Sequence, residues 1–136
     1  MRYFDHEKLD VYKTTLDFVI YIDQTIESFP KGKGYLIDQL QRAASSILLN
    51  IAEGSGEFSI NEKVRFYRIA KRSATECAGI IDICHHLNLL ENVAYQKCRE
   101  LLLRIVSMLV KMAQISSSSP MLNEESLCVE LDESLI

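Results

Sequence analysis

Residues 59–87 read SINEKVRFYRIAKRSATECAGIIDICHHL, and this stretch determines the fold class. Ser59 and Glu62 form a capping box, in which each side chain can satisfy a free backbone amide at the start of a helix. Apolar or small residues then recur at alternating spacings of four and three, at Phe66, Ala70, Ser73, Cys77, Ile80, Cys84 and Leu87. This rhythm predicts a long helix that packs along a bundle seam.

Three more segments share the helical periodicity. The four predicted helices cover about residues 8–29, 35–53, 60–88 and 93–114. The first is predicted to pack through Leu9, Tyr12, Leu16, Val19 and Ile26. Pro30 and two glycine-containing turns separate the first three helices. Short connections between long helices predict an all-α, antiparallel up-down-up-down four-helix bundle over residues 1–115.

Composition agrees with one helical domain. The 136 residues are 48% hydrophobic and 25% charged, and they include only five Gly and two Pro, which favours long helices over a β fold. The charge is uneven, because residues 116–136 contain five acidic side chains and no Lys or Arg. We predict that these residues form an acidic, disordered tail on a nearly neutral body.

The chain has no pattern typical of secretion or membrane insertion. The first residues are charged, and no apolar run reaches the roughly 18 residues that a membrane span needs. Three of the four cysteines, Cys77, Cys84 and Cys98, fall on apolar helix positions, where free cysteine behaves as a small hydrophobe. We therefore expect a cytoplasmic protein without membrane partners.

The second helix is more apolar than one wall of a monomeric bundle requires. One stripe consists of Leu36, Leu40, Ala43, Ile47 and Ile51. Ile37, Ala44 and Leu48 widen that stripe beyond one core contact. Either the first and fourth helices cover the additional surface, or a second subunit does. We favour the second alternative, because large apolar patches usually mark interfaces, and we predict Ile37, Ala44 and Leu48 as oligomer interface residues.

The narrow polar strip of the second helix has two interpretations. Arg42, Asn50 and Glu53 lie among apolar neighbours and are predicted to form a structural polar network, since buried polar groups need partners. Arg68 or Arg72 could supply one partner from the third helix. The alternative is a ligand-binding or catalytic role for Glu53.

The third helix carries a basic face. Between Lys63 and Arg72 there are five basic residues and no acidic residue. The predicted nucleic-acid-binding residues are Arg65, Arg68, Lys71 and Arg72. They lie opposite the predicted seam, and such a stripe can neutralise phosphates of RNA or DNA without reading sequence. The alternative is an ordinary solvated helix face.

Signatures of catalysis are weak, and we predict a protein that is not an enzyme and needs no metal or cofactor. His85 and His86 follow Cys84, but the spacing typical of a metal site is missing. The glycines at positions 54 and 56 follow a helix rather than a strand, so they do not indicate a phosphate-binding loop. An enzyme or metal protein that uses Glu53, His85 or His86 is the minor alternative.

Four stretches together resemble a known family. They are residues 9–13 (LDVYK), 39–47 (QLQRAASSI), 50–54 (NIAEG) and 59–76 (SINEKVRFYRIAKRSATE). The chain resembles the bacterial four-helix-bundle proteins encoded in intervening sequences of large-subunit ribosomal RNA genes, to which the accessory variability proteins of diversity-generating retroelements are related. The resemblance spans roughly residues 4–114 and excludes the tail.

The resemblance implies an assembly and partners but no catalytic residues. It implies that the protein assembles as a homopentameric ring and associates with nucleic acid. Members of the retroelement branch also act together with a reverse transcriptase. Asn50, Glu53 and Gly54 match the most characteristic segment, whereas Leu48 stands where proline is common. Our leading hypothesis is an oligomeric RNA-associated module that uses the basic face of the third helix. The alternative is a protein-interaction adaptor, for example for a reverse transcriptase or another polymerase.

Overall fold

The computed structural model describes residues 2–116 and contains four long helices. These are α1 (Asp10–Thr25), α2 (Gly34–Ser55), α3 (Ile60–His86) and α4 (Asn92–Ser116), and single 3-10 turns occupy Asp5–Lys8 and Ile26–Ser28. Within residues 2–116 there is no β-strand, so the predicted all-α four-helix class is confirmed. Residues 117–136, and with them the prediction of a disordered tail, lie outside the described residues.

Neighbouring helices run in opposite directions. Between α2 and α3, Ser46 contacts Ser73 and Gly54 lies against Tyr67. The later residue of α2 thus contacts the earlier residue of α3, and the two helices are antiparallel. The Lys97 ammonium at the start of α4 lies 4.7 Å from the centre of the Tyr21 ring near the end of α1. α4 therefore packs beside α1 as well as α3 and closes the bundle.

The inner face of α3 agrees with the predicted seam at Ala70, Cys77, Ile80 and Cys84 and differs at its other positions. Its buried side chains are Tyr67, Ala70, Ala74, Cys77, Ile80, Ile81 and Cys84. Phe66 and Ser73 are only half-buried, and Leu87 is exposed. A spacing of four and three fits either of two adjacent rows of the helix, and both rows contain Ala70 and Cys77. The row with Tyr67 and Ala74 faces the core, and Ser73 lies at its border, where its hydroxyl contacts Ser46 of α2.

The predicted packing face of α1 is partly right, since Ile26 is buried and Leu9, Tyr12 and Val19 are half-buried against the core. The helix buries Val11, Thr14, Thr15, Phe18 and Ile22. The Thr15 hydroxyl donates a hydrogen bond to the Val11 carbonyl oxygen at 2.6 Å, which satisfies this polar group inside the core. Leu16, which was expected inside, is 38% exposed, and Ile20 is 48% exposed. α1 has two apolar rows, and the row that contains Phe18 faces inward.

Local signals fix both ends of α3. The Ser59 hydroxyl oxygen accepts a hydrogen bond from the Glu62 amide at 3.4 Å, which is one half of the predicted capping box. The α3–α4 connection turns at Asn88, whose φ of 61° lies in the left-handed region that asparagine tolerates better than most residues. These two turns orient α3, on which the basic face is built.

Candidate nucleic-acid interface

The structure places the predicted basic residues on the first half of α3. Arg65, Arg68 and Arg72 are exposed, and Lys71 is half-buried beside them. The three arginines follow each other at spacings of three and four, so their Cα atoms share one face of the helix. The positive charge of that face ends at Glu76, an acidic residue that is exposed one turn after Arg72.

Arg65 is held by two neighbours on its own helix. Its Nε donates to Glu62 Oε2 at 3.1 Å, and its guanidinium carbon lies 4.9 Å from the centre of the Phe66 ring. Both side chains of the ion pair are exposed, so the pair adds little to stability. Glu62 nevertheless offsets part of the Arg65 charge, and Arg68, Lys71 and Arg72 contribute most of the positive charge of the face.

Lys63 belongs to the α2–α3 corner rather than to the basic face. Its ammonium donates to the carbonyl oxygens of Gly54 at 3.1 Å and Ser55 at 3.0 Å. These carbonyls end α2 and lack the helical partners that carbonyls inside the helix have. A cation there also complements the negative end of the helix dipole. Sequence reasoning missed this role, although Lys63 is seven residues before Ala70 and therefore lies on the inward side of α3.

Gly54 lets the base of α3 approach α2. A Cβ atom at this position would lie 2.8 Å from Cε1 of Tyr67 and 2.9 Å from Cβ of Phe66. Burial raises the pKa of the Tyr67 hydroxyl, so that side chain is a neutral part of the core. The characteristic glycine of the 50–54 stretch therefore has a packing role, and it fixes where the basic face begins.

The predicted polar network is smaller than expected. The Asn50 amide donates to the Ser46 carbonyl oxygen at 2.8 Å and to the Ser46 hydroxyl at 3.1 Å, and Ser46 lies 2.8 Å from the Ser73 hydroxyl. A chain of hydrogen bonds therefore joins α2 to α3 through Ser46 and through Ser73, which was predicted as a seam residue. Arg42 donates instead to the Asp38 carbonyl oxygen at 3.4 Å, and Glu53 is exposed. Within residues 2–116, neither Arg42 nor Glu53 bonds to Asn50.

The outward side of α2 is an open polar groove. It is lined by Asp38, Gln41, Arg42, Ser45, Asn50 and Glu53, together with Ser46. Leu49 lies among these polar residues and is 59% exposed. Arg42 and Glu53 thus lie on the surface of the molecule, where a partner can reach them.

The predicted interface residues differ in exposure. Ile37 and Leu48 are half-buried, whereas Ala44 is only 1% exposed. The prediction of Ala44 as a direct contact between subunits needs correction, because the chain itself covers this small side chain. The apolar surface that remains on this side comes from Leu16 and Ile20 of α1, next to a groove between α1 and α2.

His85 and the cysteines of α3 lie within the α3–α4 hairpin, whereas His86 is exposed. The His85 ring stacks on Tyr95 with a centroid distance of 4.0 Å, and the Tyr95 hydroxyl donates to Asp82 Oδ1 at 2.8 Å. Burial raises the pKa of both the Cys77 and the Cys98 thiol to about 12, so both are protonated at neutral pH. Among residues 2–116 there is no group of three or more His, Cys, Asp or Glu side chains that could hold a metal ion.

Comparison with known proteins identifies the family. The family model described as 23S rRNA-intervening sequence protein matches residues 7–111, which include α1 to α3 and most of α4. The chain belongs to this family. The resemblance of the four sequence stretches to the intervening-sequence proteins of ribosomal RNA genes is thereby confirmed. The family description names no enzymatic activity.

A solved structure has the same fold. It is the crystal structure of a protein of unknown function from the S23 ribosomal protein family of Bacteroides thetaiotaomicron, with a TM-score of 0.70 and 18% sequence identity. The match covers 76% of this chain and 97% of that one. None of the curated proteins matches the chain. No helix within residues 2–116 has the length and apolar character needed to cross a membrane.

Proposed function

We propose that this intervening-sequence protein is a non-enzymatic, oligomeric module that associates with nucleic acid, foremost RNA, through the basic face of α3. The supporting observation is the cluster of Arg65, Arg68, Lys71 and Arg72 within two turns of one helix. Guanidinium groups suit phosphate, because their planar donors can bind two oxygens at once. The family description, which refers to 23S rRNA, also favours RNA.

Oligomerisation would strengthen such binding. The exposed apolar side chains of Leu16 and Ile20, beside the half-buried Ile37 and Leu48, support a contact between copies on the α1–α2 side. A ring of copies would repeat the basic face and increase the local positive potential. The subunit number of five comes from the family resemblance.

Salt dependence and charge reversal test the nucleic-acid role. We expect the affinity for a short single-stranded RNA, measured by fluorescence anisotropy, to fall steeply between about 50 and 200 mM salt as counterions return to the phosphates. Replacing Arg65, Arg68 and Arg72 together by Glu should abolish binding. The matched control replaces Lys13, Arg104 and Lys111 by Glu, because these residues are exposed on other helices. Equal losses in both variants, or binding that ignores salt, would contradict the proposal.

Sedimentation tests the assembly separately. We expect a particle several times heavier than the 15.6 kDa chain. The double variant Leu16→Asp, Ile20→Asp should dissociate it, whereas Ile83→Asp on α3, also at an exposed position, should not. A monomer at micromolar concentration in the unmodified protein would rule out the oligomer.

A protein-interaction adaptor is the second candidate. It is favoured by the polar groove of α2, in which Leu49 is exposed among polar residues, since an apolar side chain within a polar rim is typical of interaction sites. A purified reverse transcriptase or related polymerase should then bind in the presence of nuclease and about 500 mM salt, under which phosphate-mediated contacts are lost. Leu49→Asp should prevent that binding, and Leu103→Asp, exposed on α4, is its control.

A further inference from the structure

α4 ends near the start of the basic face. α3 and α4 are adjacent and antiparallel, so Ser116 at the end of α4 and Ile60 at the start of α3 lie at the same end of the molecule. Arg65 is five residues from the start of α3, which corresponds to about 8 Å along the helix axis at 1.5 Å per residue. The remaining twenty residues of the chain therefore begin close to the arginines.

The two segments carry opposite charges. Residues 117–136 contain five acidic side chains, namely Glu124, Glu125, Glu130, Asp132 and Glu133, and no Lys or Arg. The basic face of α3 carries Arg65, Arg68, Lys71 and Arg72, and Glu62, the acidic residue beside it, already pairs with Arg65. Such complementarity is what steers charged surfaces together and holds them in register.

The connecting segment has a suitable length. Eight residues lead from Ser116 to Glu124 and can span up to about 26 Å at 3.3 Å per residue. The three arginines from residue 65 to residue 72 extend over about 10 Å of helix. A tether of this length gives an effective concentration in the millimolar range, so even weak ion pairs can be populated.

We propose that the acidic segment 124–133 binds the basic face of α3 in the same chain and competes there with nucleic acid. The docking itself requires only the charges and the topology above, whereas the competition rests on the proposed function. In this arrangement nucleic acid displaces the acidic segment, because its phosphates take over the same guanidinium groups. A polyanion must therefore bind tightly enough to displace the acidic segment, and this requirement favours polyanions that are long or have a high charge density.

Carbodiimide crosslinking of the full chain tests the docking without nucleic acid. The reagent joins a carboxylate to a lysine amine that touches it, and Lys71 lies within the basic face. We expect crosslinks from residues 124–133 to Lys71 several times more often than to Lys31 or Lys33, which lie at the opposite end of the bundle. The preference should disappear at about 500 mM salt, which screens exposed charges. Equal yields at Lys71 and Lys33 would overturn the proposal.

A mixture of isotopically labelled and unlabelled protein distinguishes docking within a chain from docking between copies. If the segment binds within its own chain, the two peptides of each crosslinked pair should be either both labelled or both unlabelled. Peptides that combine both labels would show that the tail binds a second copy, and they would overturn the assignment to the same chain.

Neutralising the tail tests the competition. The variant Glu124→Gln, Glu125→Gln, Glu130→Gln, Asp132→Asn, Glu133→Gln should bind RNA at least threefold more tightly at about 100 mM salt. The control neutralises five exposed acids far from the start of α3, namely Asp23, Glu27, Asp38, Glu91 and Glu100, and gives the same change in net charge. An equal gain in both variants would overturn the competition. Absence of RNA binding in every variant would contradict the proposed function, and the Lys71 crosslinks would still decide the docking.

Discussion

Gly54 of α2 and Tyr67 of α3 lie so close together that no side-chain carbon fits between them. A Cβ atom at Gly54 would lie 2.8 Å from Cε1 of Tyr67, and Tyr67 is buried against the rest of the core. We expect Gly54→Ala to lower the free energy of unfolding by about 1–3 kcal/mol, because the helices must separate or the ring must leave its position. Urea unfolding followed by circular dichroism measures the change.

The matched control for this variant is Gly79→Ala. Gly79 is exposed on α3, and a Cβ there would meet nothing within 4 Å. Alanine should raise the free energy of unfolding by about 0.5–1 kcal/mol, since it restricts the unfolded chain and favours the helix. If both variants were stabilised, the close packing at Gly54 would be refuted.

Lys63 should matter for stability and not for nucleic-acid binding. Lys63→Met removes the ammonium from the carbonyl oxygens of Gly54 and Ser55, and we expect a loss of about 1–2 kcal/mol in the free energy of unfolding. Lys71→Met, two turns further along α3, should change it by less than about 0.5 kcal/mol. Conversely, the salt slope of RNA binding should fall in the Lys71 variant alone.

The serine pair should couple α2 to α3 energetically. In a double-mutant cycle of Ser46→Ala and Ser73→Ala, the two hydroxyls 2.8 Å apart should show a coupling energy of about 0.5–1.5 kcal/mol. Ser45→Ala, at an exposed neighbouring position, should be nearly neutral. A coupling energy of zero would mean that the hydroxyls bond to water instead.

The buried thiols should make stability depend on pH in the alkaline range. The pKa values of Cys77 and Cys98 are raised from 9.0 to about 12 by burial, so between these values the unfolded chain loses thiol protons that the folded chain retains. The contribution to stability is therefore complete below about pH 9 and is lost as the pH rises towards 12. Cys128 lies outside the described residues and is replaced by Ser to simplify the measurement. The slope of unfolding free energy against pH above 9 should be smaller in Cys77→Ala and Cys98→Ala.

The periodicity of the sequence was sufficient for the number and order of the helices. The capping box at Ser59, the glycine-containing turns and the spacing in α3 and α4 are local signals, and local signals determine where a helix begins and ends. Which face of a helix packs inward is a different question when two rows are apolar. For α1 the answer depended on where the large Phe18 fits, and that space is created by the other three helices.

For the candidate site, the sequence likewise predicted which residues lie on the surface of α3 but not which contacts they make. The basic residues of α3 could be placed on an outward face, because every arginine of the group lies away from the apolar row. Lys63 has the same charge and lies in the same run, yet it points back to the end of α2. Two residues along a helix turn the side chain by about 200°, so Lys63 lies on the row of the buried Tyr67 and Ala70 and Arg65 does not. Likewise, the hydrogen bond between Ser46 and Ser73 joins residues twenty-seven positions apart, and no local pattern indicates it.

The inner face of α1 contains two threonines, Thr14 and Thr15, alongside Val11, Phe18 and Ile22, whereas every buried residue of α4 is apolar. α1 is also the shortest of the four helices, and it packs less extensively against α2 and α4 than α3 does. Backbone amides of α1 should exchange with deuterium through local opening at a lower free energy than those of α3 or α4. A second copy that covers Leu16 and Ile20 would suppress this opening, so the exchange rate of a single helix becomes a direct gauge of self-association.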